Sequence, residues 1–238
     1  MAESRTVHDT LGERFANINR RIKQALERSN RPVDDVTLVA ISKTHPASII
    51  KKAIELGATD LGENRIQEAE GKILEVGRDR ARWHLVGHLQ ANKARRAVQL
   101  FDVIHSLDSV ELAKRLDRLC TEEERQVSVL IQVDLGLEST KSGIAESDLF
   151  DLASAVQDCR NLKLLGLMTL PPYSDDVEAV RPFFRKLATL RDQLADKGHF
   201  AAGRGELSMG MTHDFEVAIE EGATMVRVGT AIFGERET

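Results

Sequence analysis

Hydrophobic positions along the chain follow two alternating patterns. Short apolar runs, typical of strands buried on both faces of a parallel sheet, are followed by stretches in which apolar residues recur every three or four positions, as in amphipathic helices. The runs that predict strands lie at 36–42, 58–61, 82–86, 102–107, 127–133, 162–168, 206–209 and 224–228. Regular alternation of strand and helix implies a parallel sheet with right-handed crossovers. Eight such units in 238 residues predict an α/β fold, a closed (β/α)8 TIM-type barrel.

The N-terminal stretch has helical periodicity but precedes the first strand. Its apolar residues recur at steps of three and four, which predicts an amphipathic helix over residues 7–28. We expect this extra helix, within residues 1–30, to pack on the barrel. No low-complexity linker divides the sequence, so residues 1–238 are expected to form one domain. A doubly wound open sheet is the competing fold, disfavoured because no glycine-rich G-x-G-x-x-G turn follows the first strand.

Composition and charge limit the function more than the fold. Hydrophobic residues make up 42% of the chain and aromatic residues only 4%, so the core must be mainly aliphatic, as barrel interiors are. A formal net charge of −5 gives no sign of nucleic-acid binding. Cys120 and Cys159 form no C-x-x-C pair, which is typical of a reducing compartment. The chain shows neither a signal peptide nor an apolar run of membrane-spanning length, so we expect a cytoplasmic protein without membrane contact.

Lys43 follows the first predicted strand directly, and Pro46 then opens a helical pattern. Open α/β sheets and (β/α)8 barrels place their chemistry at the carboxyl ends of the strands. A lysine amine at that position can condense with an aldehyde to form a Schiff base. The alternative is a lysine that extends its apolar stem over the strand end and keeps its charge in water.

Two loops at the same end of the predicted barrel suit a phosphate group. They follow strands seven and eight, where barrels commonly bind phosphate, and they contain Ser208, Met209 and Gly210 in one and Gly229 and Thr230 in the other. Small residues, hydroxyl groups and backbone N–H groups near helix N-termini are what a phosphate dianion needs. Ordinary turns use the same residues, so each loop alone is weak evidence.

Arg227 lies near the end of strand eight, which pairs with strand one in a closed barrel. It should therefore lie between the Lys43 amine and the phosphate loops. A ligand that joins an aldehyde to a phosphate across an aromatic ring is pyridoxal 5′-phosphate. An arginine facing the pyridine nitrogen would donate a hydrogen bond and discourage ring protonation. A surface ion pair is the alternative for Arg227.

Further polar residues lie at the ends of strands two and three. Asn64 and His84, with His88, should face the same barrel mouth. Asn64 with Gln67 also resembles a helix capping box, which is the purely structural alternative. His84 and His88 are four residues apart but on a strand and its loop, so they do not form a helical metal-binding pair and no metal site is expected.

Seven motifs, in order from about residue 10 to the C-terminus, resemble those of one known family, the pyridoxal phosphate homeostasis proteins. The motifs are Ala40-Ile-Ser-Lys-Thr-His-Pro46, Gly62-Glu-Asn64, Trp83-His-Leu-Val-Gly-His-Leu-Gln90, Lys141-Ser-Gly143, Gly166-Leu-Met168, Leu207-Ser-Met-Gly-Met211 and Val226-Arg-Val-Gly-Thr-Ala-Ile-Phe-Gly234. The family's barrel is related to the N-terminal domain of alanine racemase. Thr212 departs from the serine expected there, although a hydroxyl is kept.

The resemblance implies a protein that holds pyridoxal phosphate as a lysine aldimine and acts in its storage, buffering or delivery without established catalysis. By this similarity Lys43 matches the Schiff-base lysine and Arg227 the partner of the pyridine nitrogen. Ser208, Gly229 and Thr230 fall in the phosphate-binding segments, and Asn64 falls in a motif near the cofactor. Apo forms of pyridoxal-phosphate enzymes are the partners implied, and a monomer is expected.

A racemase-like enzyme is the alternative function. Racemisation needs acid–base groups on both faces of the bound amino acid. In alanine racemase-like enzymes a C-terminal β-domain of a partner subunit completes the site, and this sequence stops four residues after Gly234. Tyr173 follows two prolines and is a poor candidate for a catalytic base. A Schiff-base aldolase without pyridoxal phosphate is a more distant alternative.

Overall fold

Eight parallel strands close into a barrel in the order β1 to β8, with β8 paired to β1. The computed structural model describes residues 10–136, 142–200 and 203–234. The strands are Thr37–Ile41 (β1), Asp60–Glu63 (β2), Arg82–Leu85 (β3), Val103–Leu107 (β4), Val127–Gln132 (β5), Leu162–Met168 (β6), Glu206–Met211 (β7) and Met225–Val228 (β8). The predicted (β/α)8 barrel is therefore confirmed.

Helices follow the strands and form the outer layer. They are Leu11–Arg28 (α1), Ala47–Glu55 (α2), Ile66–Val76 (α3), Ala94–Leu100 (α4), Val110–Glu122 (α5), Leu149–Gln157 (α6), Arg181–Asp196 (α7), Phe215–Glu220 (α8) and Thr230–Phe233 (α9). Their buried faces are almost entirely aliphatic, in keeping with the low aromatic content. In the part of the chain that the structure describes, no helix combines the length and apolar character needed to cross a bilayer.

The extra N-terminal helix α1 packs on the outside of the barrel, against α8 and α9. It begins with a capping box in which the Thr10 hydroxyl accepts from the Glu13 N–H and the Glu13 carboxylate accepts from the Thr10 N–H. Its apolar stripe buries Phe15, Ile18 and Ile22. Residues 7–9 of the predicted helix lie outside the described residues, as does Lys141 of the 141–143 motif.

Strands β2 and β7 differ most from their predicted bounds. β2 runs from Asp60 to Glu63 rather than over 58–61, because the N–H of Ala58 closes the preceding helix by donating to Ala53. β7 continues to Met211 rather than ending at 209, with an irregular register against β8. Gly210 lies within this irregular stretch and adopts φ +89, a left-handed conformation that residues with a side chain rarely take.

The capping box that Asn64 and Gln67 resemble does not form. Helix α3 begins after Arg65 and has no side-chain cap, so Asn64 does not cap it. Helix α5, in contrast, is capped by Ser109, whose hydroxyl accepts from the Leu112 N–H over 3.2 Å. Asn64 is thereby left free to face the barrel mouth.

The barrel interior is not purely apolar. A small cluster of apolar side chains, which includes Val39, Val103 and Leu130, forms part of it. The strand register places Asp60 beside Val39, and His84 beside both Gly62 and Val103. Buried polar groups therefore share the interior with the aliphatic core and lie beneath the barrel mouth.

Candidate functional site

A cavity of about 650 Å³ opens at the carboxyl ends of the strands. Five of the nine predicted site residues contribute to its wall: Lys43, Asn64, Arg227, Gly229 and Thr230. The loops after β3, β6 and β7 contribute further wall residues, as do Gln132 at the end of β5 and Ser142 in the loop after it. Residues from both ends of the sequence therefore meet at one mouth because β1 and β8 are neighbours in the closed barrel.

Lys43 lies half-buried in the loop after β1. The next residue, Thr44, has φ +69, which is uncommon for a β-branched residue and costs on the order of 1–3 kcal/mol. The Thr44 N–H donates to the Glu68 carboxylate on α3, which holds the loop in this conformation. The backbone on the carboxyl side of Lys43 is thus fastened to a helix.

A buried amine supports the same loop from below. Lys72 of α3 donates to the Ser42 carbonyl over 2.7 Å and to Glu63 Oε1 over 2.8 Å, and it also contacts Glu68 at 2.6 Å. Burial raises the pKa of Glu63, although hydrogen bonds from Lys72 and Ser42 oppose it. Both residues beside Lys43 are therefore tied to α3, which limits where the Lys43 side chain can go.

Close backbone contacts bring the loop after β8 against β1. A Cβ on Gly229 would lie 3.2 Å from the Ile41 carbonyl oxygen, tighter than most real contacts. Gly87 is more restricted, since a Cβ there would lie 2.3 Å from the carbonyl oxygen of Asn64. These two glycines allow the strand ends that carry Lys43, Asn64 and Thr230 to approach one another.

Arg227 is 4% exposed and points from β8 to the cavity floor. One of its amino groups donates to the Ser208 hydroxyl over 2.6 Å and the other to the Thr169 carbonyl over 2.9 Å. Burial lowers the pKa of Arg227 to about 10, with the charge of Asp214 opposing the shift. The guanidinium therefore remains protonated at neutral pH and has three N–H groups left for other partners.

A chain of buried polar side chains lies beneath Arg227. Ser208 Oγ lies 2.8 Å from Nδ1 of His105, and Nε2 of His105 lies 2.8 Å from Nδ1 of His84. His84 Nε2 lies 2.8 Å from Oδ1 of Asp60. Burial lowers the pKa of His84 and lowers that of His105 further, so both rings are neutral at pH 7.

The other four predicted site residues lie below or behind the cavity. His84 and Ser208 are fully buried in the polar chain just described. Met209 is buried in the apolar core, and Gly210 packs against α8. Thr212, which is half-buried, lines the cavity and presents the next hydroxyl of the same segment.

Sequence reasoning did not single out Asp60 and His105. Each is a polar residue within a strand whose neighbouring residues are buried. A polar residue in such an apolar run was the sequence signal that could have identified them. Periodicity alone could not show that the two, 45 positions apart, are linked through His84.

The histidines near the mouth are dispersed. His84 is buried in the barrel interior, whereas His88 is exposed at the rim with Nδ1 3.4 Å from Asp108. Among the residues that the structure describes, no group of three or more His, Cys, Asp or Glu side chains could hold a metal ion.

Comparison with known proteins places this arrangement in a family. Residues 14–237 match the model of the alanine racemase N-terminal domain. The pyridoxal phosphate homeostasis protein of Aquifex aeolicus is 42% identical over 225 residues, which covers 94% of this chain and 98% of the relative. That of Escherichia coli K12 is 39% identical over 233 residues, covering 95% and 97%.

The chain belongs to the pyridoxal phosphate homeostasis protein family. The resemblance seen in the seven motifs is thereby confirmed. A solved structure agrees with this family membership. PipY of Synechococcus elongatus, determined with PLP bound, is 37% identical and superposes with a TM-score of 0.82 over 94% of this chain and all of PipY.

Proposed function

We propose that the protein binds pyridoxal 5′-phosphate, with Lys43 as its covalent anchor, and serves in the homeostasis of that cofactor. The observation that carries the proposal is the meeting of Lys43, Arg227 and the Gly229–Thr230 segment on one cavity wall, at the ends of neighbouring strands. PipY, the relative solved with PLP bound, supports it.

The residues present fit the cofactor. A cavity of about 650 Å³ is large enough for a drug-sized ligand. The cofactor supplies an aldehyde with which a lysine amine condenses. Arg227 donates to Ser208 and Thr169 and has three N–H groups left, which are proposed to face a ring nitrogen. Asn64, which follows β2 on the other side of β1 from β8, is proposed to contact the ring or its substituents.

The phosphate is proposed to bind where the loops after β7 and β8 meet. Thr230 begins α9, so the N–H groups of Thr230 and Ala231 have no partner within the helix. Its hydroxyl and that of Thr212 are the side-chain donors on this part of the wall. Ser208, Met209 and Gly210 are proposed to act from beneath, by placing the backbone of the segment.

His84 is proposed to support the site indirectly, from the barrel interior beneath the cavity. It does not line the cavity but connects to Arg227 through His105 and Ser208. Its contribution to binding would therefore pass through the placement of Arg227.

We further propose that the protein stores, buffers or delivers the cofactor rather than catalysing turnover. Tyr173, the tyrosine of the cavity wall, is 78% exposed, and its hydroxyl donates to Asp175 over 2.9 Å. It is therefore poorly placed as a buried acid–base group. A monomer that passes the cofactor to apo-enzymes through the open mouth is the working hypothesis.

The deciding experiment is reduction with borohydride followed by peptide mapping. We expect the purified protein with added pyridoxal phosphate to absorb in the visible range, to lose that band on reduction, and to carry a pyridoxyl group on Lys43. Lys43→Ala should lose the band, whereas Lys51→Ala, on the exposed surface of α2, should keep it. An adduct on another lysine would refute Lys43 as the anchor, and the absence of any band would refute pyridoxal phosphate as the cofactor.

A second experiment tests the absence of turnover. Amino acids incubated in D2O with the loaded protein should exchange their α-protons no faster than with free pyridoxal phosphate. Exchange at an enzymatic rate that is lost in Lys43→Ala would make the protein an enzyme and overturn the storage and delivery role.

A further inference from the structure

Five buried side chains form one continuous hydrogen-bonded line through the barrel interior. We call Asp60, His84, His105 and Ser208 the buried relay, and Arg227 is the group on which it ends. The heavy-atom distances along the line are 2.8 Å, 2.8 Å, 2.8 Å and 2.6 Å. Asp60 begins β2 at the amino end of the barrel, whereas Arg227 lies at the floor of the cavity at the carboxyl end.

The direction of the relay follows from the donors available at its two ends. A guanidinium has only donors, so Ser208 Oγ must accept from Arg227. The Ser208 hydroxyl proton is then available for Nδ1 of His105, which must be unprotonated to accept it. His105 therefore carries its proton on Nε2.

The same reasoning continues to the far end. His105 donates from Nε2 to Nδ1 of His84, so His84 also carries its proton on Nε2. His84 donates that proton to the Asp60 carboxylate, which has only acceptors when ionised. Ser208, His105 and His84 then each accept one hydrogen bond and donate one along the line, Asp60 accepts the last, and no buried polar group of the relay is left unsatisfied.

Other protonation states leave a group unsatisfied. The reverse direction cannot end at Arg227, which has no acceptor. An extra proton on His84 would force His105 to place its proton on Nδ1, and the Ser208 hydroxyl would then lose its acceptor. Burial, which lowers the pKa of both histidines, acts against that extra proton as well.

The relay joins a buried cation to a distant carboxylate through neutral groups. Ser208 Oγ and the Thr169 carbonyl together accept from both amino groups of Arg227 and so set the plane of the guanidinium. Because the Ser208 hydroxyl is held by His105, its oxygen lone pairs stay directed at Arg227. The N–H groups of Arg227 not used in this way are then presented to the cavity in one orientation.

We propose that the buried relay is the device that positions Arg227 for a neutral ring-nitrogen acceptor, with Asp60 and His105 as positioning residues of the site. This inference rests on the proposed binding of pyridoxal phosphate. It adds that the guanidinium is prearranged from the opposite end of the barrel before any ligand arrives.

The first test examines the relay in the protein without added cofactor. Two-bond ¹H–¹⁵N spectra of ¹⁵N-histidine-labelled protein at neutral pH should show His84 and His105 as neutral rings protonated on Nε2, with assignment by His84→Gln and His105→Gln. A charged ring, or a proton on Nδ1 of either residue, would overturn the relay.

The second test breaks the link between the relay and Arg227. Ser208→Ala should raise the Kd for pyridoxal phosphate roughly 10- to 100-fold, as expected for a lost hydrogen bond to a charged group. Ser208→Thr, which keeps the hydroxyl, should recover most of that loss. Ser154→Ala, on the exposed side of α6, is the matched control and should bind like the unaltered protein. Equal affinities for the Ala and unaltered proteins would overturn the proposal.

A third test uses two variants of Asp60, at the end of the relay far from Arg227. Asp60→Asn keeps an acceptor for His84 and should leave both tautomers unchanged, whereas Asp60→Leu removes it and should change the His105 spectrum. If Asp60→Leu does not fold, the tautomers of the unaltered protein decide, since a Nδ1-protonated His84 there would contradict the assigned direction.

These outcomes separate the two proposals. An unaltered protein that fails to bind pyridoxal phosphate would refute the proposed function, yet the tautomers would still report on the relay. A protein that binds it but shows a charged His105, or tolerates Ser208→Ala without loss, would refute the relay alone.

Discussion

The amine of Lys72 lies 2.8 Å from Oε1 of Glu63, and both side chains are buried between β2 and α3. Lys72 also donates to the carbonyl of Ser42, the residue before Lys43. The other oxygen of Glu63 is buried without a hydrogen-bond partner. This ion pair therefore holds the loop of the proposed anchor lysine, and its loss would leave a buried carboxylate uncompensated.

We expect Lys72→Met to lower the free energy of unfolding by about 3 kcal/mol or more, because removing one partner of a buried pair leaves the other charge buried alone. Urea denaturation measures the loss. Adding Glu63→Gln should recover part of it, since the uncompensated carboxylate is then removed as well.

Lys51→Met is the control for this prediction. Lys51 pairs with Glu75 over 3.4 Å on the exposed surface, and its loss should change stability by less than about 1 kcal/mol. A Lys72→Met protein as stable as the control would show that the buried pair contributes nothing to folding.

The strand–helix pattern predicted the barrel because each buried strand and each amphipathic helix carries its own periodicity. The errors lie where periodicity is weakest. The strand predicted over 58–61 stops before Gly62 and Glu63, which continue β2, because neither residue signals a strand. Asn64 and Gln67 have capping-box spacing, yet the helix starts after Arg65, since a local motif does not show which residue turns into the helix.

The cavity wall was predicted where a residue at a strand end faces the mouth, as Lys43, Asn64 and Arg227 do. Which hydroxyl of the Ser208–Thr212 segment reaches the cavity depends on the register shift in β7 and on the left-handed Gly210, and neither can be obtained from residue types alone. The links from His105 to Ser208 and His84 join three strands and required the closed barrel.

Gly210 should tolerate no side chain. A Cβ there would lie 2.6 Å from Cβ of Ala218, and φ +89 is strained for other residues. We expect Gly210→Ala to destabilise the fold by about 1–3 kcal/mol, measured by thermal unfolding. In contrast Gly71→Ala, in the interior of α3 with open space at its Cβ, should stabilise the protein by about 0.5–1 kcal/mol. Equal behaviour of the two variants would contradict the described backbone at Gly210.

Two threonines should distinguish the phosphate end of the cavity. We expect Thr230→Ala and Thr212→Ala each to weaken pyridoxal phosphate binding by about 0.5–3 kcal/mol, through loss of a hydrogen bond to a charged group. Pyridoxal, which lacks the phosphate, should lose much less affinity in either variant. Thr189→Ala, on the exposed face of α7, is the control. Calorimetric titration with both ligands measures the difference, and unaltered affinity in both variants would place the phosphate elsewhere.

The relay histidines should make stability depend on pH in a defined direction. Burial lowers the pKa of His84 and His105 below the ordinary value of 6.5, with Asp60 opposing the shift at His84 and Arg227 and Arg82 adding to it at His105. Below pH 6.5 the unfolded chain therefore binds more protons than the folded one. Stability is fully present above that pH and is lost as the pH falls towards the folded-state values.

Each such histidine contributes a slope of at most about 1.4 kcal/mol per pH unit in this range. We expect His105→Gln to lower the free energy of unfolding at both about pH 7 and about pH 5.5. Because the variant lacks this titrating ring, its free energy of unfolding should fall less between the two pH values, by up to about 1.4 kcal/mol for each pH unit below about 6.5. His213→Gln, at the exposed rim, is the control. Urea denaturation at the two pH values gives the comparison. A steeper loss of stability in His105→Gln than in the unaltered protein would mean that His105 is charged in the fold, because only a histidine stabilised in its protonated form opposes the loss at low pH.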